Sequence, residues 1–238
     1  MRWRTRVLSS VLAKGQAAGA VHAETADDDP ATIFSRVYQE NHWGRRWGRK
    51  FFSGPGSHDA RVIDPYIQSL KQFLGEFPQL PDVVDLGCGD FHVGRRIRSS
   101  CQRYVACDVV PELIRHNATA FARQRVEFLC INIIDDPLPA GEVAFVRQVL
   151  QHLTNSQIAQ VIPKLQQYRC LVITEHLPSD PDFIPNLDHR YGSGIRVTRG
   201  SGVVLTAPPF NLKACRELEL CRIQCTDGVI RTNAYVLS

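Results

Sequence analysis

Short apolar runs alternate with helix-like stretches beyond Pro81, and this alternation limits the fold more than any other feature of the chain. The runs are rich in β-branched residues, and most of the segments between them place apolar residues at helical spacing. Such a pattern predicts a parallel sheet covered by helices on both faces. The predicted strands are 83–86, 104–109, 126–131, 143–149 and 170–175.

The remaining periodic segments complete an α/β, three-layer, doubly wound domain. Two further apolar runs, 217–224 and 229–237, flank Asp227-Gly228 and predict an antiparallel hairpin. The connection 135–142 is too short for a helix of ordinary length. Helices are predicted at 64–77, 93–99, 111–123 and 155–168.

The length of 238 residues suits one packed domain with appendages. The acidic stretch 26–31 predicts a linker, so we expect an N-terminal extension over 1–30, a helical lid or cap segment over 31–80, and the main domain over 81–238. Residues 1–23 carry three arginines and no acid, but polar residues interrupt their apolar stretch. This favours an extension on a cytoplasmic protein over a targeting peptide, and both readings stay open.

Charge and cysteine content exclude several classes of protein. A net charge of +4 is too small to indicate nucleic-acid binding, and no apolar run reaches the length of a membrane span. Cys107, Cys130 and Cys170 lie in apolar runs, so we expect buried, reduced thiols. The set Cys215, Cys221 and Cys225 lacks the paired spacing of zinc sites and has no histidine close by in sequence, so no metal is predicted.

The first predicted strand runs directly into a turn that contains Gly87 and Gly89. Glycine lets the backbone approach a ligand closely, and open parallel sheets bind ligands at the carboxyl ends of strands where the strand order reverses. Asp108 ends the next strand, about twenty residues further on, where a carboxylate can accept hydrogen bonds from both hydroxyls of a ribose. These residues predict a site for a ligand that contains a nucleoside.

The spacing of the glycines separates two such ligands. Dinucleotide sites need a third glycine at the position that His92 occupies, which disfavours a nicotinamide-dependent oxidoreductase. The pattern Asp85-x-Gly87-x-Gly89 is instead typical of class I methyltransferases, whose ligand S-adenosylmethionine (SAM) carries no pyrophosphate. The spacing therefore favours SAM.

The chain also resembles a bacterial group within the class I SAM-dependent methyltransferases over about residues 35–238. The similar segments are Ser-Gly-Pro-Gly-Ser at 53–57, Asp-Leu-Gly-Cys-Gly-Asp-Phe at 85–91, Asp-Pro-Leu-Pro at 136–139, Arg-Gln-Val-Leu-Gln-His-Leu at 147–153 and Ala-Pro-Pro-Phe-Asn-Leu at 207–212. The resemblance implies a seven-stranded sheet with an antiparallel last strand. It also implies an enzyme of the EC 2.1.1 class.

The resemblance assigns roles to particular residues. Asp108 would hold the ribose, Asn132 and Ile133 would flank the adenine, and Gln148 would lie beneath the methionine portion. The full set expected to bind SAM is Ser53, Gly54, Asp85, Gly87, Cys88, Gly89, Asp108, Val109, Asn132, Ile133 and Gln148. Two positions depart from the group's pattern, because Phe91 replaces a third loop glycine and Asn132 replaces an aspartate. The Asn132 side chain can still accept a hydrogen bond from the adenine amino group.

Methyl transfer depends mainly on aligning the acceptor with the methyl group, so a general base is optional. His152 is the first candidate for such a base, because it follows the fourth strand at the predicted rim and histidine titrates near neutral pH. It could instead pack against SAM or cap the helix that starts near Thr154. Glu175 and His176, at the end of the fifth strand, are second candidates.

Segments around this rim are expected to shape the site. Trp43, Trp47 and loop 53–57 would form a lid or merely cover the edge of the sheet, and the insertion 178–209 would shape the acceptor pocket. Five arginines would draw in an anionic substrate or form a solvated surface. These are Arg45, Arg46, Arg49, Arg196 and Arg199.

Taken together, the sequence predicts a SAM-dependent methyltransferase that acts on an oxygen or nitrogen of a small molecule. An alternative is a SAM-binding sensor or partner subunit without catalysis, which would share the cofactor residues and lack a base. The oligomeric state and the acceptor itself are not indicated by the sequence.

Overall fold

The structure is a computed structural model that describes residues 29–237. Almost all of the predicted N-terminal extension, including the segment 1–23, lies outside these residues. None of the described helices is both long and apolar enough to cross a membrane.

A seven-stranded sheet forms the centre of the described chain, in the order β3-β2-β1-β4-β5-β7-β6. The strands are β1 Val83–Leu86, β2 Tyr104–Asp108, β3 Glu127–Cys130, β4 Val143–Arg147, β5 Cys170–Leu177, β6 Arg216–Gln224 and β7 Val229–Val236. Strands β1 to β5 pair in parallel, and β7 is antiparallel to both of its neighbours. The predicted fold class, with its antiparallel last strand, is confirmed.

Five α-helices accompany the sheet in the described part of the chain. They are α1 Pro30–Gln39, α2 Ala60–Gly75, α3 Gly94–Ile97, α4 Pro111–Ala120 and α5 Asn155–Leu165. Helix α2 begins one turn earlier than predicted because the Asp59 side chain accepts a hydrogen bond from the Arg61 N–H and caps the helix there. Helix α5 starts with a capping box between Thr154 and Gln157, so Thr154 and not His152 caps it.

Apolar side chains fill the layers on the two faces of the sheet. Alternate residues of β1 point to opposite faces, so Val83 packs with Leu70 of α2 whereas Val84 packs with Val161 of α5. Helix α4 lies beside the outer strands β2 and β3. The two layers hold the carboxyl ends of the parallel strands at one edge of the domain, where the strand order reverses between β1 and β4.

Two details of the strands differ from the sequence-based expectation. Cys130 is exposed, although its apolar run predicts burial, because β3 is the edge strand of the sheet. Cys107 and Cys170 are buried, and all eight cysteines are free thiols, as expected. Strand β4 ends at Arg147, two residues before the predicted end, because the backbone of Gln148 turns into the left-handed region with φ 54°.

Candidate active site

A cavity of about 480 Å³ opens at the carboxyl ends of β1, β2 and β4. Its volume falls within the range of small-molecule sites. The cavity wall contains every residue that the sequence predicted to bind SAM, and their individual contacts with that molecule stay predictions. These residues are Ser53, Gly54, Asp85, Gly87, Cys88, Gly89, Asp108, Val109, Asn132, Ile133 and Gln148.

The glycine turn after β1 forms part of this wall and leaves no room for side chains. Gly87 and Gly89 have φ values of 85° and 55°, which favour glycine. A Cβ atom on Gly87 would overlap the Val149 side chain, and one on Gly89 would overlap Ser53. The turn is fixed because the N–H groups of Gly87 and Cys88 both donate to the Cys107 carbonyl, at 2.8 Å. The backbone at these positions is therefore open to close approach by a ligand.

Phe91 adopts a left-handed backbone conformation of the kind that favours glycine. Its φ is 58°, and its ring is fully buried against Tyr104, Phe121 and Phe128, with ring centroids 5.0–5.6 Å apart. A left-handed non-glycine residue costs roughly 1–2 kcal/mol, whereas burial of a phenyl side chain contributes about 2–3 kcal/mol. Packing of the ring therefore offsets the backbone strain.

Two carboxyl groups stand on either side of the turn, Asp85 buried and Asp108 half-buried. The Asp85 Oδ2 accepts a hydrogen bond from the Tyr104 hydroxyl at 2.8 Å, and Asp108 accepts from the N–H groups of Gly89 and Val110 at 3.0 and 3.1 Å. Burial raises the pKa of Asp85 and of Asp108 to about 6, although these hydrogen bonds act in the opposite direction. Both groups are largely ionised at neutral pH and become protonated in mildly acidic solution.

Asn132 has a local role that its sequence position did not reveal. Its Oδ1 accepts a hydrogen bond from the Ile134 N–H at 3.0 Å, and its Nδ2 donates to Asp135 at 2.6 Å. Its own N–H donates to Asp136 at 2.8 Å. The side chain thus shapes the turn after β3, and one lone pair of Oδ1 remains for a ligand.

Loop 53–57 lies over the glycine turn and is tied to it by side chains. The Ser53 Oγ accepts a hydrogen bond from the Asp90 N–H at 2.8 Å and lies 2.9 Å from the Tyr38 hydroxyl. At the end of the loop, the buried His58 Nε2 lies 2.6 Å from Asp90 Oδ2. We call this pair the clasp. Burial would raise the pKa of Asp90, but the hydrogen bond and charge of His58 outweigh it and the pKa is lowered.

Arg147, the last residue of β4, holds the same loop from the other side. Its guanidinium donates to the Ser57 hydroxyl at 3.0 Å and to the Gly56 carbonyl at 2.6 Å, and it lies 5.0 Å from the centre of the Tyr66 ring. Its position in the sequence marks Arg147 only as the first residue of the motif at 147–153. The adjacent Gln148, which was predicted beneath the methionine portion, lines the cavity next to Gly56.

His152 lies on the cavity wall, buried between the N-terminal segment and the insertion. Its Nδ1 donates to the Gly194 carbonyl at 2.9 Å, so the neutral ring carries its lone pair on Nε2. Burial lowers the pKa of His152 to about 4, although the Gly194 and Gly192 carbonyls act against this. The imidazole is therefore neutral at physiological pH.

The two tryptophans of the predicted lid behave differently. The Trp43 ring lines the cavity and lies 5.5 Å from the His152 ring, centre to centre. Trp47 is 98% exposed, so its predicted place in the lid is wrong. It follows Arg45 and Arg46 in a loop that projects into solvent, where no apolar surface is available to cover its ring.

The other two candidate catalytic residues point to opposite faces of the sheet because they are neighbours on β5. His176 lines the cavity, with its Nε2 3.4 Å from Asp227 Oδ1. Glu175 is buried and does not line the cavity, and neither of its carboxyl oxygens has a well-formed hydrogen bond to any described residue. Burial raises the pKa of Glu175 to about 8, and the charge of Arg196 lowers it only in part. Glu175 is therefore not placed to touch a ligand in the cavity.

Arg196 is buried and anchors the insertion, so both alternatives from the sequence, attraction of an anionic substrate and a solvated surface, are wrong for this residue. It is 1% exposed and donates to the carbonyls of Leu153 and Leu187 at 2.5 and 2.7 Å, and to Asn155 Oδ1 at 2.8 Å. These bonds hold the insertion against the start of α5. In this position Tyr191 and Ile195 reach the cavity wall. The other four arginines of that group are exposed.

Comparison with known proteins agrees with this geometry. Residues 83–169 match the family described as a methyltransferase domain. This segment contains the glycine turn, both carboxyl groups beside it and His152. No curated protein matches the chain in sequence.

Several solved structures share the fold. The N-methyltransferase NodS from Bradyrhizobium japonicum WM9, in complex with S-adenosylhomocysteine, has a TM-score of 0.60 at 14% identity, covering 84% of this chain and 97% of that one. Magnesium protoporphyrin IX methyltransferase from Synechocystis PCC 6803 with bound SAM has a TM-score of 0.57 at 15% identity, covering 90% and 100%. Human N-acetylserotonin methyltransferase with SAM has a TM-score of 0.54 at 12% identity, covering 87% and 59%. At these identities the likeness establishes the fold alone.

Proposed function

We propose that this chain is an enzyme that transfers the methyl group of SAM to an oxygen or nitrogen atom of a small molecule, because residues 83–169 match a methyltransferase domain and the fold is shared with methyltransferase structures. The observation that supports this most strongly is that the candidate cofactor residues and the candidate base line the same cavity. The residues predicted to bind SAM and the candidate base His152 all line it, so that donor and acceptor can meet there.

The residues present fit SAM. The glycine turn leaves a cradle that any side chain would fill, and the half-buried carboxylate of Asp108 ends β2 on the same wall. Asp108 would accept hydrogen bonds from the ribose hydroxyls, and Ile133 together with Asn132 would flank the adenine. Gln148 would lie beneath the methionine portion. When bound, SAM supplies a methyl group on a positively charged sulfur.

The protein contributes alignment and the exclusion of water. Loop 53–57 forms part of the wall and is anchored by Asp90 on one side and by Arg147 on the other, so it holds the space above the glycine turn in one shape. In such a dry site the acceptor needs little reorganisation before it reacts. The anchored loop thus replaces solvent around the reacting atoms.

His152 takes the proton that the acceptor loses. The bond from Nδ1 to Gly194 leaves the lone pair on Nε2 as the basic atom of the neutral ring. Because burial holds the pKa of His152 near 4, the ring is a weak base before reaction. Proton transfer to it therefore accompanies formation of the new bond to the methyl carbon and does not precede it.

Calorimetric titration with SAM, followed by incubation with SAM labelled in the methyl group and a small-molecule fraction of cell extract, tests this function. We expect binding of SAM and a labelled small product. Asp108→Ala should lose both, whereas His152→Asn should keep SAM binding and lose most of the product. The exposed Trp47→Leu serves as the control and should match the wild type in both assays.

Each other outcome has a definite meaning. Absence of SAM binding by the wild-type protein would overturn the proposal. Binding without a labelled product across extracts would favour the non-catalytic sensor or partner subunit. A His152→Asn variant with full activity would remove the base from the mechanism while leaving methyl transfer in place.

A further inference from the structure

Four aromatic rings line the cavity together, and the proposed methyl transfer does not by itself require them. Phe34 of α1 and Trp43 come from the N-terminal segment, His152 follows β4, and Tyr191 belongs to the insertion. Phe34 lies 5.8–6.0 Å from each of the other three rings, centre to centre. We call this group the ring wall. Three separate parts of the chain converge to build it.

The rings of the ring wall keep apolar surface uncovered. Phe34, Trp43 and Tyr191 are only half-buried, although each packs against at least one neighbouring ring. Aromatic side chains that line a cavity and stay partly accessible gain from an apolar partner, and aromatic partners add about 0.5–1.5 kcal/mol beyond the area that is covered. The wall therefore favours a flat aromatic ligand over an aliphatic one of equal size.

The charge near the ring wall argues against an ionic ligand. His152 is the proposed base within the ring wall, and its pKa responds to burial, to the carbonyls of Gly194 and Gly192 and to His189. The carboxylates that line the cavity are already engaged. Asp85 and Asp108 are assigned to SAM by the proposed function, and Asp90, Asp59 and Asp227 lie against His58, Arg61 and His176. An ammonium group beside His152 would therefore lack a free counter-charge. A carboxylate ligand would face a ring that is neutral at physiological pH.

We infer that the methyl acceptor is a neutral aromatic hydroxyl compound, whose ring packs on Phe34, Trp43 and Tyr191 while its hydroxyl faces His152. This inference rests on the proposed function and gives it a substrate class. The acceptor oxygen forms a bond to the methyl carbon as the bond from that carbon to sulfur breaks. The hydroxyl proton passes to Nε2 of His152, and the products are an aryl methyl ether and S-adenosylhomocysteine.

Binding of a probe panel to the full chain saturated with S-adenosylhomocysteine tests the substrate class without relying on turnover. The panel consists of a naphthol, its saturated decahydro counterpart, a naphthoate and a naphthylmethylammonium ion. We expect the naphthol to bind about ten-fold more tightly than the saturated alcohol, which corresponds to the stacking gain of the ring wall. The two charged probes should bind more weakly than the naphthol.

Matched variants then locate the effect. Phe34→Leu and Trp43→Leu remove a ring and keep apolar volume, so each should weaken naphthol binding about five-fold and leave binding of the saturated alcohol unchanged. Trp47→Leu removes an exposed tryptophan from the same segment and should change neither. A separate titration with SAM shows whether each variant is folded and binds the donor.

The result that would overturn the inference differs from the one that would overturn the proposed function. If SAM binds but the saturated alcohol or a charged probe binds as tightly as the naphthol, the acceptor is not an aromatic hydroxyl compound and methyl transfer stands. If the naphthol binds tightly but Phe34→Leu and Trp43→Leu do not weaken it, the ring wall is not its site. Failure of SAM itself to bind removes both proposals.

Discussion

His58 Nε2 lies 2.6 Å from Asp90 Oδ2, and this clasp joins the loop ahead of α2 to the glycine turn behind β1. Both side chains are about 95% buried, and the His58 ring is stacked between Phe52 and His92, with centroids 4.6 and 4.2 Å away. A buried pair of this kind is costly to break, because the partner left behind is a buried polar group without its hydrogen bond. The clasp therefore fixes loop 53–57 on the site.

Substitution of Asp90 by Asn should loosen this loop. The amide keeps an acceptor oxygen but lacks the charge, so we expect the Kd for SAM to rise about ten-fold, which is a cost of about 1.4 kcal/mol. Calorimetry measures the Kd, and the melting temperature shows that the variant is folded. Glu219→Gln breaks an exposed ion pair with Arg222 on β6 and should leave the Kd unchanged. An unaltered Kd in Asp90→Asn would mean that the clasp does not support the donor site.

Affinity for SAM should depend on pH through Asp85 and Asp108. Burial raises the pKa of each to about 6, so both become protonated as the pH falls below that value. A protonated carboxyl accepts fewer hydrogen bonds and no longer attracts a cation, and we expect SAM to bind progressively more weakly from pH 7 towards pH 5. Calorimetry across this range checks the trend. In Asp108→Asn the affinity for SAM should be lower and should change less with pH. If the affinity of this variant changed with pH as much as that of the wild type, Asp108 would not be the source of the pH dependence.

Phe91 offers a test of backbone strain against packing. Phe91→Gly relieves a left-handed conformation but removes a fully buried ring, so we expect a net loss of about 2–3 kcal/mol in the free energy of unfolding. Phe91→Ala loses the same ring without the relief, and should be less stable than Phe91→Gly by roughly 1 kcal/mol. Denaturant unfolding gives both values. An alanine variant as stable as the glycine variant would show that the position carries no strain.

Glu175 should make the protein less stable as the pH rises. Burial raises its pKa from 4.5 to about 8, so the folded protein binds this proton more tightly than the unfolded chain does. Stability from this group is fully present below pH 4.5 and is lost towards pH 8, by at most about 1.4 kcal/mol per pH unit. Glu175→Gln cannot lose a proton, so relative to the wild type it should gain stability across this window. Denaturant unfolding at several pH values measures the difference, and a constant difference would contradict the buried carboxyl.

The strands of the sheet and the residues of the cavity wall could be predicted from local sequence patterns. Strand β1 is found at its predicted bounds, and the glycine turn and Asp108 occupy the ends of neighbouring strands. Such features depend on a few adjacent residues, since a strand end, a turn and a carboxylate are encoded within one short segment. This is why residues named from motifs alone meet on one cavity.

Contacts between segments that are distant in sequence could not be predicted from local patterns. His58 and Asp90 are 32 residues apart, and Arg147 reaches Ser57 across 90 residues. Neither pair has a spacing that a helix or strand would impose. Glu175 is different, because successive residues of a strand point to opposite faces of the sheet. The sequence was therefore sufficient to predict that Glu175 and His176 do not share one face. Side chains in loops, such as Trp47, have no periodicity from which burial can be predicted.

Loop 53–57 forms part of the cavity wall and is held at both ends, by the bond from the Asp90 N–H to Ser53 at its start and by Arg147 and the clasp at its end. If the donor binds beneath this loop as proposed, release of S-adenosylhomocysteine past the loop would require several of these bonds to open at once. The time that S-adenosylhomocysteine stays bound would then be set by the rate of loop opening and not by the identity of the acceptor. Fast acceptors would reach a common ceiling of turnover set by the opening of the loop, whatever the rate of the chemical step.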